Sequence, residues 1–141
     1  MNPAFTVRPA RPDDREPVLV FCRETWGPGS RDYLEETWEP WLHSDAGRLV
    51  VADSGDQPIG VCFVRLVSKE EAYLQGMRVH PGHRRRRVAT QLARYCLNYA
   101  AGQGRHLVRL ATAEENLGAK RAAEGLGFRW AATFGVFFSD C

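Results

Sequence analysis

Along this chain, short stretches in which apolar and polar residues alternate every second position give way to longer stretches with helical spacing. Phe5 to Arg8 alternates as a strand. Asp13, with Glu16 three residues on and Pro17 in the first turn, predicts a helix start, and that helix runs to about Thr25. Trp26 to Ser30 is a loop. Leu34, Thr37, Trp38, Trp41 and Leu42 then recur on one helical face, with Pro40 kinking or ending the helix. Arg48–Asp53 and Ile59–Val67 are β-rich runs separated by the turn residues Ser54 to Pro58, which predicts a hairpin. A further strand is expected from about Ala72 to Val79. A Pro-Gly loop leads from it into an amphipathic helix carrying Val88, Gln91, Leu92, Tyr95 and Tyr99. Gly102 and Gly104 close that helix, and Leu107 to Ala111 reads as a strand. Asn116 to Glu124 forms a helix stopped at Gly125 and Gly127, and Phe128 to Phe138 is a final β-rich segment.

The predicted order is β-α-α-β-β-β-α-β-α-β. This is an α/β (α+β) arrangement with a mixed central sheet: an antiparallel meander followed by a right-handed βαβ crossover, with helices on both faces. The chain has 141 residues, a length that buries one core and rarely divides, so residues 1–141 are expected to form a single domain. No internal repeat, low-complexity tract or linker interrupts the pattern.

Hydrophobic residues at 44% and charged residues at 26% place the chain among ordinary globular proteins, away from the disordered regime. Its net charge is only +2, so attraction to an anionic ligand has to come from a local cluster, and Arg84 to Arg87 is such a cluster. The longest apolar runs fall well short of the roughly 18 residues a membrane-spanning helix needs. Cys22, Cys62, Cys96 and Cys141 stand far apart, and the N-terminus shows no basic-then-apolar leader, which fits free thiols in a reducing cytoplasm.

The segment from Leu74 to Leu92 puts a strand end, a tight loop and a helix start in succession. The first amides of a helix lack intrahelical partners and carry partial positive charge, so they can hydrogen-bond a pyrophosphate, and arginines add charge-assisted bonds. An arginine run on its own is more often a solvated face or a nucleic-acid patch. The flanking strand and helix reverse that reading, and the near-neutral balance argues against a nucleic-acid partner. His80 and His83 stand at a spacing that suggests metal, but nothing completes a ligand set, so no metal is expected. Trp26, Tyr33, Trp38 and Trp41 read as core or as the lining of an acceptor groove.

The stretch VHPGHRRRRVATQL resembles the V-x-P-x-x-R-G-x-G-[IV]-[AG]-x-x-L motif of the GNAT superfamily of acyl-CoA N-acyltransferases. ATAEENLGAKRAAEGLGF resembles the second GNAT signature, N-x-x-A-x-x-x-Y-x-x-x-G-F, with Asn116, Ala119, Gly127 and Phe128 in step. The resemblance is strong from about Arg48 to Phe128 and one of layout only from Phe5 to Leu42. It implies acetyl-CoA as cosubstrate and transfer of the acetyl group to a primary amine of a small molecule or amino acid. It also implies that the cofactor is held by Met77, Arg78 and Val79, by Arg84, Arg85, Arg86, Arg87, Val88, Ala89 and Thr90, and by Asn116. The backbone of Met77 and Val79 would pair with pantetheine as an added strand, an N–H near Met77 would polarise the acetyl carbonyl, and Glu71 would take the amine proton, with neighbouring Glu70 as the alternative. A solvated pair of glutamates at a strand start is the plainer account of both.

Three departures from the pattern matter. Arg85 and Arg87 stand where the family has glycines; if those positions need φ > 0, each arginine costs about 1–2 kcal/mol. Ala123 replaces the tyrosine that gives a proton to the leaving thiolate in many relatives, leaving Tyr73 or Tyr99 as substitutes. Little chain remains after the G-F strand for a last antiparallel strand, which is therefore short or completed by a second copy in a homodimer. The stretch DYLEETWEPWL resembles histidine N-acetyltransferase-like members, which acetylate a free amino acid. Two alternatives stand beside the small-amine enzyme: a non-catalytic acyl-CoA-binding module, and an acetyltransferase acting on a protein amine.

Overall fold

The computed structural model describes residues 4–26, 32–84, 86–112 and 116–133, with the side chains of residues 25 and 26 left aside. Strand β1 (Thr6–Pro9) is followed by a 3-10 turn at Pro12–Asp14 and by helices α1 (Arg15–Trp26) and α2 (Leu34–Leu42). Strands β2 (Gly47–Asp53), β3 (Pro58–Leu66) and β4 (Glu71–Val79) come next. A second 3-10 turn (Pro81–His83), helix α3 (Val88–Gly102), strand β5 (Leu107–Leu110) and helix α4 (Leu117–Gly125) complete the series. The chain divides into two compact units, Met1–Ala111 and Thr112–Cys141.

The first unit holds a five-stranded sheet in the order β1-β2-β3-β4-β5, antiparallel throughout except for the parallel β4–β5 pair. This is the predicted meander and crossover. Side chains on β3 alternate between two helical layers. Val61 and Phe63 join Val18, Leu19, Phe21, Leu34, Trp38 and Trp41 in a core under α1 and α2. Gly60 faces the other way: a Cβ there would stand 2.8 Å from Val88 and 2.9 Å from Leu92, so this residue lets the first turn of α3 lie directly on the sheet. Helices thus cover both faces.

Helix α1 begins differently from the sequence expectation. Asp14, not Asp13, takes the free amide of Arg11 at 2.7 Å, and the turn Pro12–Asp14 precedes the helix proper. The reason is a buried knot: Arg8 donates to both carboxylate oxygens of Asp14 at 2.8 and 2.9 Å and through Nε to Asp53 at 2.9 Å, joining β1, the 3-10 turn before α1, and β2. Pro40 lies inside α2, which ends two residues later at Leu42.

The second unit contains α4, closed by a left-handed Gly127 (φ +95°). The Gly127 and Phe128 amides bond back to the carbonyls of Glu124 and Ala123 at 3.0 and 3.1 Å, a Schellman ending that needs positive φ at the glycine. Phe128 is used in that cap, and residues 128–133 form no strand, contrary to the β-rich reading of Phe128 to Phe138; the remainder of that segment lies outside the described residues.

Candidate functional site

The last β5 partner of β4 is Leu110, opposite Leu74. Beyond that pair β4 continues through Gln75, Gly76, Met77, Arg78 and Val79, bonded to β3 on one side and to no strand on the other among the described residues. A bulge marks the divergence. Val61 pairs with Arg78 and Phe63 with Gln75, so Gly76 and Met77 together oppose Cys62, and Gly76 takes φ +66°. Across the Gly60–Val79 pair the amide of His80 donates to Ile59 O at 2.8 Å, which turns the N–H and C=O of Val79 toward the free edge. An open strand edge of this kind can receive an extended amide-bearing chain.

The edge runs into the basic loop. His80 accepts the Gly82 amide on Nδ1 at 2.9 Å and packs its ring against Phe21 and His83, so it shapes the turn. Slight burial, with His80 and Arg86 nearby, holds the His83 imidazole below its usual range. Among the described residues no group of three or more His, Cys, Asp or Glu could hold a metal ion. Arg84 closes the 3-10 turn in extended conformation, and Arg84, Arg86 and Arg87 are exposed. Arg85 lies outside the described residues. Arg87 sits before α3 in the left-handed region, φ +62° and ψ +25°, so this position does demand what glycine supplies easily. The Gln91 amide bonds to Arg87 O at 3.0 Å, while those of Val88, Ala89 and Thr90 precede it at the helix mouth.

Other expected residues are placed elsewhere. The guanidinium of Arg78 donates through Nε to Asp32 at 2.9 Å and through Nη1 to Met77 O at 2.9 Å, on the α1/α2 side of the sheet. Glu71 opens β4, about 27 Å along the strand from Val79 at roughly 3.4 Å per residue. It lies 3.6 Å from Arg109 on β5, and its side chain is one-third exposed. The structure does not bring it to the phosphate end; alternation puts it on the same face as Tyr73 and Gln75. Tyr99 lies under Arg48 at 4.5 Å, on the C-terminal half of α3. Asn116 belongs to the second unit, where its Oδ1 accepts the Ala119 amide at 3.1 Å and caps α4. Ala123 is buried in α4 and offers no proton.

Three features of this region escaped the sequence reading: the Gly76 bulge, the Asp32–Arg78 pair, and Gln75, whose buried Oε1 has no hydrogen-bond partner among the described residues. A glycine inside a strand pattern was the available signal for the first. Among the described residues, Cys22 and Cys96 are poor candidates for a nucleophile. Burial, with the Asp32 carboxylate adding to it, pushes Cys22 up to about 12, and a hydrogen bond with Cys62 together with burial pushes Cys96 upward.

The profile of the Acetyltransferase (GNAT) family matches residues 15–128. The chain belongs to that family. An uncharacterised N-acetyltransferase of Methanocaldococcus jannaschii is 26% identical to this GNAT chain over 136 residues, covering 88% of this chain and 60% of the relative. Histidine N-acetyltransferase of Xenopus tropicalis is 36% identical over 70 residues, 49% of this chain and 22% of that protein. The chain thus spans less than two thirds of either curated relative. An aminoglycoside N-acetyltransferase solved in complex with CoA superposes with a TM-score of 0.80 at 20% identity, covering 97% of this chain and 95% of that one. At that identity the likeness is one of fold.

Proposed function

We propose that this GNAT chain is an N-acetyltransferase that moves the acetyl group of acetyl-CoA to a primary amine of a small molecule or amino acid. The observation that carries the reading is continuity: the unpaired edge of β4 from the Gly76 bulge leads to the mouth of α3 with Arg84, Arg86 and Arg87 around it. Pantetheine amides would pair with the Met77 and Val79 backbone, and the pyrophosphate would take the amides of Val88, Ala89 and Thr90 with Arg84 to Arg87. The family match spans both compact units, which supports one GNAT domain over residues 1–141. Cys22, Cys62 and Cys96 are free and buried, which supports a reducing, cytoplasmic setting.

In the proposed reaction the amine is first freed of its ammonium proton, because only the neutral nitrogen has a lone pair. Glu71, on this face of β4 but about 20 Å along the strand from Met77, would take that proton only through a relay of several waters. The nitrogen then bonds to the thioester carbon, an N–H at the bulge stabilises the oxyanion, and the carbon–sulfur bond breaks. Coenzyme A leaves as a thiolate, since thiols ionise near a pKa of about 8.5; the second proton, lost from the attacking nitrogen as the amide forms, ends on sulfur, and the first passes to solvent. With the described cysteines, Cys22, Cys62 and Cys96, all buried, direct attack is favoured over an acyl-enzyme.

Arg87 in the left-handed region and the absence of a hydroxyl at Ala123 favour the second reading, an acyl-CoA-binding module without turnover. Calorimetry with acetyl-CoA on the native chain and on Arg84→Ala, alongside thiol release with L-histidine, an aminoglycoside and a panel of small amines, separates the two. Weakened binding in the variant supports the cofactor site, thiol release makes the chain an enzyme, and saturable binding without release leaves the module. No binding overturns both.

A further inference from the structure

We infer that Arg78 and Asp32 form a positioning clamp that fixes the bulged end of β4 to the start of α2, and so sets the peptide on which the acyl end of the cofactor would rest. The catalytic half of this inference rests on the function proposed above; the structural half does not.

Arg78 touches Asp32, Met77 and Tyr33 at once. Its Nε donates to Asp32 Oδ2 at 2.9 Å, and Nη2 stands 3.5 Å from Oδ1. Its Nη1 donates to the carbonyl of Met77 at 2.9 Å, and its guanidinium lies 5.4 Å from the ring centroid of Tyr33. Asp32 is the fixed end: its side chain is 3% exposed, Oδ1 also accepts the Leu34 amide at 3.1 Å, and its carbonyl accepts the Glu35 amide at 3.1 Å. A second grip lies further back along β4, where Leu34 and Trp41 of α2 occupy the space a Cβ of Gly76 would need. The strand segment from Gly76 to Arg78 is thereby held from the α2 side, while its other edge carries no strand among the described residues.

The Met77 carbonyl is the informative contact. A surface arginine that merely balanced Asp32 would not need it, and an extended strand beyond its last β5 partner would otherwise leave this peptide plane with no side-chain restraint. Arginine is suited to the task because its planar fork can hold a carboxylate with one edge and a carbonyl with another; a lysine ammonium can satisfy Asp32 without reaching both.

The test compares Arg78→Lys with Arg78→Met and the native chain. Thermal unfolding, amide hydrogen exchange in the free protein, acetyl-CoA affinity by calorimetry and thiol release with the amine that the native chain turns over are the readouts. Arg78→Lys should recover most of the melting temperature lost in Arg78→Met, because the ammonium still pairs with Asp32. In the lysine variant the exchange of the Arg78 amide, which faces β3 in the Val61 pair, should nonetheless rise at least tenfold, acetyl-CoA affinity should stay within about threefold, and kcat should fall at least tenfold. If exchange at this amide is unchanged when stability is recovered, the clamp is overturned whatever the chain binds. If exchange rises but kcat does not fall, the clamp stands as structure only and its catalytic role is overturned. If exchange rises in a chain that binds no acetyl-CoA, the failure belongs to the proposed function.

Discussion

The six-membered ring of Trp41 occupies the place where a side chain on Gly76 would begin: a Cβ there would stand 2.7 Å from the indole, on a backbone with φ +66°. Trp41 in turn stacks on Phe63 at 4.6 Å between ring centroids, with the planes 8° apart. The bulge that separates β4 from β5 is therefore built by helix α2 pressing on a glycine. Gly76→Ala should cost about 3 kcal/mol, combining about 1–2 kcal/mol for a left-handed alanine with overpacking of similar size. Urea unfolding measures this, and a loss under about 1 kcal/mol would mean that the bulge relaxes freely.

The knot of Arg8, Asp14 and Asp53 predicts acid sensitivity. Burial works to raise the Asp14 pKa, but the hydrogen bonds from Arg8 and from the Arg11 amide outweigh it and hold the carboxyl below its usual value. A depressed carboxylate contributes stability that is complete above the unfolded-state pKa of about 3.9 and is lost as pH falls through the folded value. The native chain should therefore lose stability on acidification below about pH 4. Asp14→Asn should be less stable at pH 7 by about 1–3 kcal/mol, because Arg8 loses one of its two carboxylate partners and keeps Asp53, and flatter in that acid range. Parallel slopes for both proteins in unfolding measured from about pH 6 to about pH 2.5 would remove Asp14 as the cause.

At Arg87 a non-glycine residue stands in the left-handed region at the mouth of α3. Arg87→Gly relieves the steric cost but adds backbone freedom to the unfolded chain, so a net gain of about 1 kcal/mol in stability is expected. One cation is also lost near the proposed pyrophosphate site, and the salt dependence of acetyl-CoA affinity should weaken. Calorimetry at two ionic strengths, with thermal unfolding, tests both halves.

Local pattern carried much of this structure and distant pairing carried what it missed. The β2–β3 hairpin, the α3 span and the α4 span were legible because alternation, helical spacing and terminal glycines act within a few residues. The contacts that shape the site join Asp32 to Arg78 and Arg8 to Asp53 across more than forty residues, and no local pattern announces them. LQGMR reads as plain strand until Trp41 is seen behind its glycine. The need for positive φ at Arg87 was legible through the motif resemblance; Arg85 lies outside the described residues.

Gln75 keeps a buried Oε1 with no partner among the described residues, on the face of β4 that also carries Tyr73. An unpaired buried polar atom costs about 1–3 kcal/mol, and under the function proposed above the amine substrate would supply the missing partner. Gln75→Leu should leave stability unchanged or raise it by about 1 kcal/mol while increasing the amine KM at least fivefold, with acetyl-CoA affinity unaffected. A destabilised variant with native KM would place Gln75 in the core alone.

The last expectation concerns the base. Glu71 begins β4 beside Arg109, and Tyr73 follows on the same face, two residues nearer the bulge. A base that acts through water on the attacking amine contributes about 10²–10⁴-fold. Glu71→Gln should therefore lower kcat by at least a hundredfold with acetyl-CoA affinity intact, and raising the pH should recover part of the loss, because more of the amine then arrives neutral. Tyr73→Phe is the comparison. If Glu71→Gln turns over normally and Tyr73→Phe does not, proton transfer belongs to the middle of the strand, and the ion pair of Glu71 with Arg109 serves only to close β4 against β5.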